Sequence, residues 1–179
     1  MEKGRAKYEN SNKISIAMEK EKRDKDETYW AVLNSAVELD FKRGHLKWTI
    51  TELSKKSKVT RSLIYYYFGR SKVDILEAAV SVIGEEFAGL AESRLDLWEK
   101  GDFEKSLFEA RKIYDEVPYM CAFYLNYRER DNDIGHQLMK VEKAFCRKIQ
   151  EFAPKATQAE VNTIFSVYFG ITYSPNVGE

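Results

Sequence analysis

Apolar residues recur at spacings of three and four along most of this chain and nowhere alternate with period two for long. The pattern predicts an all-α protein without internal repeats. Between Asp26 and Gly44, "DETYWAVLNSAVELDFKRG" places Trp30, Leu33, Val37 and Phe41 on one helical stripe with Ala36 beside them; Lys42, Arg43 and Gly44 supply the cations and the glycine of a helix end. In "TITELSKKSKV", Thr49 followed three residues later by Glu52 forms a capping box, opening a short helix with Ile50 and Leu53 on its apolar side. Thr60 caps a second short helix, "RSLIYYYF". Ser71 with Asp74 repeats the box pattern at the head of a long helix expected from Lys72 to about Lys100. Further on, Gly101 and Asp102 read as a stop and a cap, and Pro118 fits a first helical turn. Asp131-Asn132-Asp133 marks a loop before a helix ending near Pro154, and Thr157 with Glu160 caps the last apolar stretch, through Phe165 and Tyr168.

Three helices in close succession, then a long one, divide the chain into three expected segments. Residues 1–25 are polar and mixed in charge and are expected to form a mobile arm. Residues 26–72 hold the three-helix unit, and residues 73–179 form a second helical domain, a bundle joined to the first by the long helix.

Composition adds limits. An apolar share of 44% is enough for a real core. No long apolar run and no charged-then-apolar leader opens the sequence, so neither a membrane span nor a secretory signal is expected, and the expected location is cytoplasmic. Cys121 and Cys146 lack metal-ligand spacing and read as reduced thiols. The formal net charge of zero conceals a segregation: Phe41 to Lys72 carries nine basic side chains against one acidic, between two segments that are net acidic. Such a block is either a solvated face or an attractor of a polyanion.

The tyrosine run inside that basic block sharpens the choice. On a helical wheel Ile64 and Phe68 lie one turn apart as anchors, Ser62 and Tyr66 point nearly opposite, and Leu63 and Tyr65 flank the outward face. Two readings stand open: the tyrosines roof a small core with their phenols in water, or the face meets a DNA groove. In the second, Arg61 reaches guanine edges or a phosphate, Ser62 lets the backbone approach, and tyrosine rings lie on thymine methyls while their hydroxyls bond phosphates. Lys72 adds a cation in the first turn of the next helix, and the helix from Thr49 to Ser57 braces the reader as in a helix-turn-helix.

The stretch "WTITELSKKSKVTRSLIYYYFGRSK" resembles the amino-terminal signature of the tetracycline-repressor (TetR) family of bacterial transcriptional regulators. The match runs through "LNSAVEL", Thr49, Leu53-Ser54, Val59-Thr60, Ile64-Tyr65-x-Tyr67-Phe68 and Ser71-Lys72. The resemblance implies that Arg61, Ser62, Tyr65, Tyr66 and Tyr67 lie in or beside the groove, and that Thr49 and Lys72 hold phosphates. Lys58 stands where the family usually has a turn glycine, Leu63 where it prefers a small or hydroxylated residue, and the link from Phe68 to Lys72 is one residue longer. It further implies a nucleoid-associated homodimer on a palindromic double-stranded operator, usually a repressor, whose carboxy-terminal domain binds a small-molecule effector. The family's last two helices usually make the dimer, and the last apolar stretch here arrives about one helix sooner than the family leads one to expect.

In the second domain Trp98, Phe108, Tyr114, Met120, Phe123, Tyr124 and Phe145 are the candidate lining of a ligand pocket, and each fits ordinary core or dimer contact equally well. The acid excess there suits either a cationic ligand or plain solvated acids. His136 sits beside Asp133 at a helix start and His45 in a loop; with no phosphate loop or nucleophile motif, no catalysis, metal or cofactor is expected. Two functions remain: a ligand-responsive repressor, or a DNA-bound adaptor holding a protein partner. An enclosed apolar cavity with a few polar groups favours the first, a filled core with an exposed apolar patch the second.

Overall fold

Several helix starts fall where the sequence supplies side-chain acceptors, at Thr49, Thr60, Ser71 and Asn132. In a computed structural model that describes residues 26–173, side chains at 112, 113, 115, 116 and 173 excepted, every regular element is helical. The expected arm, residues 1–25, lies outside the described residues. Helix α1 covers residues 26–43, α2 Ile50–Ser57, α3 Arg61–Phe68 and α4 Lys72–Val82, which runs on into a π-helical turn, Ile83–Phe87. There follow α5 Glu92–Glu99, α6 Phe103–Glu116, α7 Pro118–Tyr127, α8 Asp133–Phe152 and α9 Gln158–Tyr173. The Thr49–Glu52 box is reciprocal, Thr60 caps α3, Ser71 caps α4 through the Val73 amide, and Pro118 stands in the first turn of α7.

The long helix expected from Lys72 to Lys100 is instead broken. After the π turn the chain reverses at Gly89, whose φ is +66°, and a Cβ there would come within 2.7 Å of the Tyr168 hydroxyl. A straight helix would keep α5 off α9; the break lets Arg94 and Trp98 of α5 pack under Tyr168. Gly84, within the π turn, has Val141 of α8 where its own Cβ would reach, at 3.3 Å, so α4 and α8 approach closely at that point.

Helices α1, α2 and α3 close over the start of α4, burying Leu33, Val37, Leu53, Ile64, Phe68 and Ile75, and the same core continues through Phe87, Phe123 and Leu138. Fully burying side chains of this size contributes about 1.5 to 3 kcal/mol each. A second cluster, Trp98, Phe145, Ile149, Val161 and Tyr168, joins α5, α8 and α9. One stripe position departs from expectation: Phe41 is 45% exposed, tilted against Tyr119, while its neighbour Asp40 is fully buried. The stripe of α1 turns inward at Asp40 because that carboxyl group gathers hydrogen-bond donors from the loop that follows.

Lys58 closes α2 in the left-handed conformation, φ +59°, the backbone region that favours glycine. A lysine Cβ in that region is strained by its own carbonyl. Lys58→Gly is therefore expected to raise stability by about 0.5 to 1 kcal/mol, seen as a higher urea midpoint at unchanged slope.

Candidate nucleic-acid interface

The two short helices are set by hydroxyl groups. Ser54 Oγ donates to the Val59 carbonyl at 2.6 Å, Ser57 Oγ donates to Leu53 O at 2.8 Å, and the Val59 amide donates to Ser57 Oγ at 3.3 Å. These bonds tie the turn between α2 and α3 to the body of α2, and Thr60 then starts α3 by accepting from the Leu63 amide. The result is a helix-turn-helix whose second helix buries Ile64 and Phe68 and turns its other side outward.

On that outward side Tyr66 is 78% exposed, with Arg61, Ser62, Leu63 and Tyr65 exposed around it. Tyr67 is half-buried, its ring edge-on to both Tyr66 and Phe68, so it belongs partly to the roof of the core. The Arg70 guanidinium lies 6.0 Å from the Tyr65 ring centre. Thr49 is exposed at the head of α2, its amide and hydroxyl both donating to Glu52 at 2.8 and 3.0 Å. Those bonds hold the Glu52 carboxyl below its ordinary range.

Lys72 is more enclosed than a plain phosphate clamp. Its ammonium donates to the carbonyls of Leu46 and Trp48, the latter at 3.0 Å, and lies 5.6 Å from the Trp48 ring centre. Two of its three N–H groups thus hold the loop before α2, leaving one for an external acceptor. Glu38 answers Lys42 at 2.6 Å and Lys56 at 2.8 Å, and Arg43 lies 3.6 Å from Glu52. Lys47, Lys55, Lys58, Arg61 and Arg70 remain as exposed cations on and around the two helices.

Asp40 was not singled out by sequence reasoning, yet it organises the approach to α2. One carboxyl oxygen accepts from the Leu46 amide and from Trp48 Nε1, both at 2.8 Å; the other accepts from the Tyr127 hydroxyl and lies 3.4 Å from His45 Nδ1. Burial, and then the bond to Asp40, push the Tyr127 phenol well above its ordinary range. Leu46 itself sits at φ +57°. The signal was present: an acid at the i+3 and i+4 positions from Val37 and Ala36 falls on the buried stripe, shortly before a tryptophan whose N–H needs an acceptor.

The ring set nominated for a ligand pocket is dispersed. Trp98 alone of the seven lines the larger cavity, of about 290 Å³ between α5, α6, α8 and α9. Phe145 and Tyr124 meet at a small gap beside Val141, Met120 and Phe123 are fully buried core, and Phe108 is exposed on α6. Tyr114 is half-buried, with the Arg111 guanidinium 4.6 Å from its ring centre. His136 is exposed and pairs with Asp131 at 2.9 Å, and no group of acids, histidines and cysteines able to hold a metal occurs among the described residues.

A capped helix-turn-helix with a basic, aromatic outward face, mounted on a helical body, is the architecture of a DNA-binding regulator. Residues 32–79 match the model described as bacterial regulatory proteins, tetR family, so the chain carries a TetR-type amino-terminal domain over that segment. It is a TetR-like transcriptional regulator with a helix-turn-helix. No curated protein and no solved structure matches the chain. Among the described residues no helix is long and apolar enough to cross a membrane.

Proposed function

We propose that the chain is a ligand-responsive repressor that grips a roughly palindromic operator as a homodimer, with residues 26–72 as reading domain and residues 73–179 as effector and dimer domain. The observation that carries this reading is the outward face of α3: a tyrosine 78% exposed, flanked by Arg61, Ser62 and Tyr65, over a core sealed by Ile64 and Phe68. Rings so placed are unfavourable in water unless a partner covers them, and the exposed cations around them fit a polyanion. Arg61 and Tyr66 take base edges, Ser62, Tyr65 and Tyr67 line the approach, and Thr49 and the third N–H of Lys72 meet phosphates.

One helix of this length covers too few base pairs to be selective, so two copies are required. Helix α9 supports that requirement. From Val161 to Tyr173 it has no charged residue, and Ile164, Val167 and Ile171 are each exposed by two-fifths or more along one side, with Gly170 open beside them. The adaptor alternative rests on Phe108 and Leu125, exposed on α6 and α7.

Light scattering on the protein alone and with a selected duplex tests the reading. A dimer is expected, with Ile171→Asp shifting it toward monomer and weakening operator binding together. A wild-type monomer at micromolar concentration in both samples overturns it.

A further inference from the structure

We infer that the cavity between α5, α6, α8 and α9 is a binding site for an uncharged, largely apolar molecule of two or three rings. It names the chemistry of the effector and rests on the regulatory reading only for its biological role. The walls are the rings of Trp98, Phe103, Phe152 and Tyr168 and the aliphatic chains of Leu107 and Ile149, and the partly exposed Ile164 and Val167 complete the lining, so the cavity adjoins the exposed stripe of α9. A volume of about 290 Å³ lies at the small end of ligand sites. Water in so apolar a hollow finds few hydrogen-bond partners in the wall, which favours its displacement by an apolar guest.

Polar groups in the wall are already engaged. Trp98 Nε1 donates to Ser106 Oγ at 3.1 Å, the Tyr168 hydroxyl lies 3.3 Å from the same oxygen, and the Thr163 hydroxyl donates to the Ala159 carbonyl at 2.9 Å. The nearby cation, Arg94, stands behind the wall: it donates to Ser106 and, at 3.5 Å, to the Tyr168 hydroxyl, and lies 3.9 Å from Glu86. An anionic guest would be desolvated without a free donor to receive it. A cationic one meets no acid in the lining and has Arg94 behind it. Trp98 already meets Phe103 and Phe152 edge-on with ring centres 5.5 Å apart, so a guest ring packs against the exposed side of this cluster at offset or T geometry.

A matched pair of probes separates these terms: N-phenyl-1-naphthylamine, and the same skeleton bearing an 8-sulfonate. Titrated into the full chain without DNA, the neutral probe is expected to bind one per chain and accept energy from tryptophan, and the sulfonate to bind at least tenfold more weakly. Ala153→Phe, which fills the cavity from the end of α8 without touching Ile171, should weaken the neutral probe at least tenfold at an unchanged melting temperature. Leu107→Phe fills it from α6 if the first variant melts early. Equal binding of both probes, no binding of the neutral one, unaltered binding in both filled variants, or binding lost as the protein dimerises would each overturn the site. Operator titration with the neutral probe reports separately on the regulatory reading: a probe that binds the cavity and leaves operator affinity unchanged supports the site and removes it from regulation.

Discussion

Replacing Phe68 by alanine is expected to cost about 3 to 5 kcal/mol of stability, because that ring is 6% exposed, stacks on Tyr29 at 4.8 Å and closes the core beneath α3. Replacing Tyr66 or Arg61 is expected to do the opposite. Neither removes a core atom, so unfolding should move by roughly 0.5 kcal/mol or less, while operator binding weakens by about 1 to 3 kcal/mol with discrimination relaxed at one position of each half-site. Thermal melts and binding titrations on the same three variants test both halves. A Tyr66→Ala protein that unfolds, while its folded fraction binds operator normally, would make the three tyrosines a roof over the core and nothing more.

The second large effect is expected at Asp40. Alanine there leaves the Leu46 amide, the Trp48 indole N–H and the Tyr127 hydroxyl without their acceptor in a region closed to water, at a cost of about 3 to 5 kcal/mol. Asp40→Asn keeps one acceptor oxygen and should recover part of that loss. Tyr127→Phe, which retains the ring against His45 and removes only the hydroxyl, should cost less than either. Urea melts rank the three, and exchange of the Trp48 indole proton reports whether the loop before α2 has opened. If Asp40→Ala melts within 1 kcal/mol of the parent chain, roughly the net worth of one ordinary hydrogen bond, the cluster is not what holds that loop.

Both predictions turn on the same feature, the seat of the reading head. Lys72 and Asp40 clasp the segment between α1 and α2 from two sides, one through its carbonyls and the other through its N–H groups. Tyr127 belongs to α7, so the body of the protein reaches the reading head through a hydrogen bond as well as through packing.

Much of the reading head was legible from spacing alone. Thr49 with Glu52, Thr60 and Ser71 announce helix starts because a side-chain oxygen satisfies amides within the next three residues, a contact confined to one turn. Ile64 and Phe68 could be assigned inward, and Tyr66 outward, because a helix places residues four apart on one face and two apart nearly opposite. Other features depend on partners distant in the chain. The break after α4 depends on the Tyr168 hydroxyl occupying the space beside Gly89; the exposure of Phe41 depends on Asp40 finding Tyr127, 87 residues away. The dispersal of the rings nominated for a pocket, with Trp98 on a cavity and Phe123 in solid core, follows from how the helices cross. Periodicity reports which side of a helix is apolar, since that is a property of one turn; which neighbour covers it, and whether the fit leaves a void, is decided by helices meeting from remote parts of the chain.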